Sequence, residues 1–128
     1  MTPKEMAEHI DRLTKDNGIT VKASTRNGRA WRRQKKIATP PVKSGTTYAL
    51  ALHEIGHILG KRQSGRRLES EIGAWQWAID NAETWSPAMT KKVSRCLNSY
   101  LKSYRRHKTA IITPAAEQEI NDLINRLD

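Results

Sequence analysis

With one cysteine, Cys96, in 128 residues, the chain can form no internal disulfide. No apolar run approaches the roughly 20 residues that a bilayer-spanning helix needs, and no segment has the basic, apolar and small-residue order of a secretory signal. These absences lead to the expectation of a reducing, cytoplasmic location and no membrane partner. Hydrophobic residues are also scarce, at 37%. Four tryptophans and a regular supply of Leu and Ile still support a folded chain with a thin core, and the length suits a single domain spanning residues 1–128. Neither an internal repeat nor a low-complexity segment is present.

Acidic residues are in short supply too, 13 against 23 Lys and Arg, for a net charge of +10. Three stretches carry much of the excess: GRAWRRQKK from Gly28, GKRQSGRR from Gly60 and KSYRRHK from Lys102. Each adjoins the end of an expected element, not a long tail. Such charge favours an anionic partner, DNA or an acidic protein, and equally fits an ordinary solvated surface.

Periodicity divides the chain into helices and a small sheet. TPKEMAEHIDRLTKDNG opens on Thr2-Pro3, repeats apolar residues at Met6, Ile10 and Leu13, and stops at Asn17-Gly18, as a helix should. ITVKAST alternates Ile19, Val21 and Ala23 inward, RNG reads as a hairpin turn, and AWRRQKKIATPPV returns in extended form. A second helix follows with Tyr48, Leu52, Ile55 and Leu59 on one stripe and Gly60 as a left-handed cap. A connection through Gly65 leads to a third helix, antiparallel to the second, with Leu68, Ile72, Trp75 and Ile79 inward. Ser86-Pro87 starts a fourth, with Val93, Leu97, Tyr100, Leu101 and Tyr104 inward; Thr113-Pro114 starts a fifth, with Ile120, Leu123, Ile124 and Leu127. The expected class is α+β and mainly helical: about five helices and a sheet of two or three strands near the N-terminus.

One stretch is costly for an apolar helix. ALALHEIGHILG, from Ala49 to Gly60, places His53 and His57 one turn apart and Glu54 directly after the first. Residues four apart on a helix have Cβ atoms about 5 to 6 Å from each other, so the two imidazoles can grip one metal ion. Glu54, displaced around the helix, can then reach a water on that ion without entering its coordination sphere. The competing reading makes both histidines core residues, each needing its own partner to offset desolvation. Elsewhere, Cys96 falls on the apolar stripe of the fourth helix and reads as packing, while His9 and His107 stand alone and read as surface residues.

A catalytic zinc takes three protein ligands and keeps one position open. Two glutamates follow in the next helix. Glu71 shares a face with Ala74, Trp75 and Ala78, whose two alanines would let that helix approach the histidine helix closely. Glu69 points about 160° away around a helix of 3.6 residues per turn, which favours Glu71 as the third ligand.

These residues resemble the HExxH zinc metallopeptidases whose third ligand is a glutamate, and among them the small ImmA/IrrE-like peptidases. HEIGH matches the first motif. EIGAWQWA resembles the second, a glutamate followed three residues later by Ala, then Asp or Asn, then an aromatic-Ala pair: Glu71, Ala74, Trp77 and Ala78 match, and Trp75 departs from the usual Asp or Asn. The likeness covers roughly residues 37–78.

The resemblance implies a zincin-like minimal domain and a zinc-dependent metalloendopeptidase. Zn2+ would be held by His53, His57 and Glu71, with Glu54 as the base that deprotonates the attacking water and passes the proton to the leaving amine. The extended segment around KKIATPP would be the edge strand that pairs with the backbone of a protein or peptide substrate. Tyr48, Tyr100, Tyr104 and His107 all remain candidates for stabilising the oxyanion. Relatives in phage and mobile-element regulation suggest a DNA-associated regulator as substrate. A different class is also open: a basic nucleic-acid-binding module on the same scaffold, with a purely structural zinc. Oligomeric state is not encoded in any feature of the sequence.

Overall fold

The computed structural model describes residues 1–64, 67–106 and 114–127. Gly65, His107 and Thr113, together with the Tyr104 side chain, lie outside the described residues, as does part of the KSYRRHK cluster. The fold is α+β and mainly helical, with five helices and a three-stranded sheet near the N-terminus among the described residues: α1 (Pro3–Asp16), β1 (Thr20–Ala23), β2 (Arg29–Trp31), β3 (Lys36–Thr39), α2 (Gly45–Leu59), α3 (Arg67–Asn81), α4 (Pro87–Arg106) and α5 (Pro114–Leu127). No helix among the described residues is long and apolar enough to cross a membrane.

Local chemistry starts the helices where the sequence signals them. Thr2 and Glu5 form a reciprocal capping box on α1, with Pro3 in the first turn, and Ser44 and Thr47 do the same on α2. Most of α2 is buried, from Tyr48 through Gly56 with few breaks, and it packs against α1, α3, α4, β2 and β3. The remaining helices bury one stripe each: Met6 and Ile10 on α1; Leu68, Ile72 and Trp75 on α3; Val93, Leu97 and Leu101 on α4; Ile120 and Leu123 on α5. One hydrophobic cluster runs through all of them.

The strands pair differently from the sequence expectation. The order is β1-β3-β2, with β1 parallel to β3 and β2 antiparallel to it, so no hairpin joins β1 to β2 across Arg26-Asn27-Gly28. The hairpin instead joins β2 to β3 through Arg32–Lys35, closed by Lys35 N–H donating to Arg32 O (3.2 Å), with Lys35 at φ 48°. β1 is therefore an edge strand. Ile19 just before it is buried, but Val21 is 48% exposed and Ala23 is exposed as well, correcting their inward assignment. β3 is central, with both backbone edges occupied, so it is not the edge strand expected around KKIATPP. Gly60 ends α2 in extended conformation (φ −75°, ψ 171°) instead of the left-handed cap. Its missing side chain leaves room for Gly56 O, which an added Cβ would meet at 2.4 Å.

Candidate metal centre

The site is built on the face that α2 turns toward α3. The His53 ring is buried and aims Nε2 at Glu71 Oε2, 2.8 Å away; His57 aims Nε2 at the other carboxylate oxygen, Oε1, at 3.3 Å. One ligand atom from each of the three residues can be chosen so that all lie within 4.8 Å of one another. Glu69 is apart from this group and faces the Arg62 guanidinium at 3.9 Å.

The far nitrogen of His57 sets which face of its ring meets Glu71. His57 Nδ1 lies 2.9 Å from Gln63 Oε1 and 3.1 Å from Ser70 Oγ. Gln63 Oε1 can only accept, so the bond to it requires a proton on Nδ1. A neutral His57 then presents the Nε2 lone pair to a carboxylate oxygen, and two acceptors face each other. A cation between them, either a proton or a metal ion, turns that repulsion into attraction. The same field acts on the other members. Burial alone would depress the basicity of His53, but the Glu54 and Glu71 carboxylates outweigh it and hold His53 above its ordinary value. Burial would raise Glu71, and the two imidazoles instead hold its carboxyl well below the usual carboxylate range. Two imidazole nitrogens and a carboxylate oxygen fit zinc in both type and number for a site with an open position.

Packing fixes the rings. Trp75 stacks on His53 at 4.1 Å between centroids and 15° between planes, and His57 meets His53 edge-on at 4.6 Å. The Trp75 indole N–H donates to the Tyr100 hydroxyl (3.2 Å), which in turn donates to Glu71 Oε2 (2.8 Å). Burial and then the Glu71 charge keep the Tyr100 phenol far above its ordinary pKa, so it acts as a donor. Thus Trp75, which departs from the resembled motif, is linked to the glutamate through a tyrosine from α4.

Glu54 is buried at 5% exposure, yet it lines the same cavity as His57 and Glu71, a recess of about 370 Å³. Its Oε1 lies 3.3 Å from His53 Nδ1 without the alignment of a hydrogen bond; among the described residues that nitrogen is the one buried side-chain polar atom left without a hydrogen-bond partner. Gly28, just before β2, closes over the carboxylate. A Cβ there would meet Glu54 Cγ at 2.5 Å. Gly28 is glycine for this contact, which is why RNG resembled a hairpin turn. The strand beside the cavity is β2, which contributes Arg29 and Ala30 to the lining, and its outer edge pairs with no other described strand.

Two sequence assignments change here. His9 is not a surface residue: it is 7% exposed, with Nδ1 2.6 Å from the Tyr48 hydroxyl and Nε2 3.2 Å from Glu83 Oε1. Glu83 N–H donates to that same hydroxyl (3.0 Å), so the Tyr48 proton goes to His9 and the His9 Nε2–H faces the carboxylate. Tyr48 is thereby committed to joining α1, α2 and the segment after α3, away from the metal centre. Of the four oxyanion candidates, Tyr100 alone among the described side chains contacts it. Gln63 and Ser70 had no signal in the sequence, because their role depends on a loop and a helix start meeting His57. Cys96 is half-buried, and burial raises its thiol pKa, consistent with packing.

No protein-family model, curated protein or solved structure matches the chain.

Proposed function

We propose that this chain is a zinc-dependent metallopeptidase, similar to the ImmA/IrrE-like enzymes, that hydrolyses peptide bonds of a protein substrate. The observation that carries the reading is the convergence of His53 Nε2, His57 Nε2 and the Glu71 carboxylate beside an open cavity that also contains Glu54. His53, His57 and Glu71 would hold the zinc ion, which would supply a Lewis acid and lower the pKa of a bound water to about 7. Glu54 accepts the proton of the attacking water on its carboxylate and delivers it to the leaving nitrogen. Tyr100 and Trp75 hold Glu71 and His53 in place, and the free edge of β2 gives substrate backbone a strand to pair with. A DNA-associated regulator in a phage or mobile element remains the substrate context suggested by the resemblance. The +10 charge favours the nucleic-acid module as second reading, and an open cavity with a carboxylate inside it is what that reading leaves without a purpose.

The direct test is metal content with activity. Purified protein should retain close to one zinc per chain after desalting, and chelation should abolish proteolysis until zinc is restored. Glu71→Gln should weaken zinc by about tenfold or more, whereas Glu69→Gln should leave affinity near the wild-type value. The opposite ranking would exclude this ligand set.

Tyr100→Phe probes the supporting contacts. Losing the hydroxyl removes one of the two contacts on Glu71 Oε2 and leaves the Trp75 N–H without its acceptor. Zinc affinity, measured by competition with a chelating dye, should fall about tenfold to a hundredfold. Unchanged affinity would show that Tyr100 merely packs.

A further inference from the structure

Three arginines surround the cavity that contains Glu54, His57 and Glu71. Arg29 comes from β2, Arg32 from the turn after it and Arg67 from the first turn of α3. All three are exposed, and among the described residues none forms an ion pair. By contrast, Arg12 and Arg126 are each matched to a carboxylate elsewhere on the surface, Glu83 and Asp80 respectively. Resting on the peptidase reading of this site, we infer that the cavity selects peptide segments with acidic side chains, bound alongside β2 with their carboxylates on Arg32 and Arg67, while Arg29, held over Trp31, adds to the positive field.

Charge arithmetic supports this selection. With a dication bound, the charges of Glu54 and Glu71 are balanced, and the three arginines leave the mouth of the cavity at about +3. Guanidinium groups pair with carboxylates through two parallel N–H bonds, so they reward acidic side chains and repel basic ones. The geometry favours a peptide over a nucleic acid. A recess of about 370 Å³ takes a few side chains, and the unpaired edge of β2 offers alternating N–H and C=O groups that an extended peptide backbone matches. Trp31, the aromatic that could stack on a base, does not line the cavity and is already covered by Arg29 and Lys36 at 4.9 and 5.0 Å.

The test uses full-length, zinc-loaded Glu54→Gln and two fluorescent pools of random decapeptides, identical except that every third position is glutamate in one and glutamine in the other. Fluorescence anisotropy should show the glutamate pool binding at least about tenfold more tightly, the scale of one or two charge-assisted hydrogen bonds. Added salt should narrow the gap. Arg32→Gln with Arg67→Gln should erase the preference, and the paired Lys replacements should retain part of it. Equal binding of the two pools, or a preference that survives the glutamine double variant, would overturn the inference. Overturning it as well would be a single-stranded DNA of mixed sequence that binds more tightly than the glutamate pool and displaces it. Failure of the peptidase reading is read separately, in the wild type. Hydrolysis of both pools without preference keeps the reading and rejects acidic selection; selective binding with no hydrolysis of either pool does the reverse.

Discussion

Glu54→Gln should yield a folded protein that holds one zinc and hydrolyses peptides about a hundredfold to ten-thousandfold more slowly than the wild type, the span of rate that a positioned general base contributes. The side chains are nearly isosteric, so the close contact between Gly28 and Glu54 survives the exchange. No hydrogen bond is lost, because Glu54 meets His53 Nδ1 at 3.3 Å without hydrogen-bond alignment. With zinc on Nε2 the His53 proton sits on Nδ1, and the glutamine side-chain oxygen can face it as the carboxylate does. What disappears is the capacity to accept a proton. Elemental analysis and circular dichroism should therefore match the wild type while turnover of a confirmed substrate collapses. A mutant that keeps wild-type turnover would rule out Glu54 as the base; a wild type inert toward every peptide, yet binding DNA, would put the nucleic-acid module ahead.

The legible parts of this molecule are those whose information is local. Helix α2 and its histidine pair were readable because a 3.6-residue period and a one-turn spacing lie within a single segment. Glu71 was separable from Glu69 because two positions along a helix point to nearly opposite sides. Strand pairing was not readable, since it depends on which strands meet. Gly28 carries a turn-like signal, but its lack of a side chain accommodates Glu54, a residue 26 positions later, and the chain places β3 between β1 and β2. His9 offers the same lesson: its partners are Tyr48 and Glu83, and no local pattern distinguishes a histidine awaiting them from one facing water. The cavity arginines were visible as charge, and only the fold gathers Arg29, Arg32 and Arg67 around one recess.

The approach of α3 to α2 was half legible, and its missing half gives the second large effect. Ala74 and Ala78 marked α3 as able to come close, but the residue that receives it is Gly56, between the two histidines. A Cβ on Gly56 would stand 2.4 Å from Ala74 O and 3.0 Å from Ala74 Cα, and these are backbone atoms that no rotamer change can move. Helix propensity and packing predict opposite signs for Gly56→Ala. Propensity alone would stabilise a helix interior by about 1 kcal/mol. Overpacking against backbone costs about 1 to 3 kcal/mol, occasionally more, and here the helices can relieve it only by separating. The net expectation is a lower melting temperature, by roughly 4 °C for each kcal/mol lost at this chain length. Separation also draws His53 and His57 away from Glu71, which follows Gly56 by 15 positions and precedes Ala74 by three. Zinc affinity should therefore fall along with stability, although no ligand has been altered. Thermal melting with and without zinc separates the two effects: a metal-free variant that melts at or above the wild-type temperature would mean that propensity wins and that α2 and α3 have slack at this crossing. A variant that melts lower and still binds zinc as tightly as the wild type would show that the metal centre does not depend on this contact.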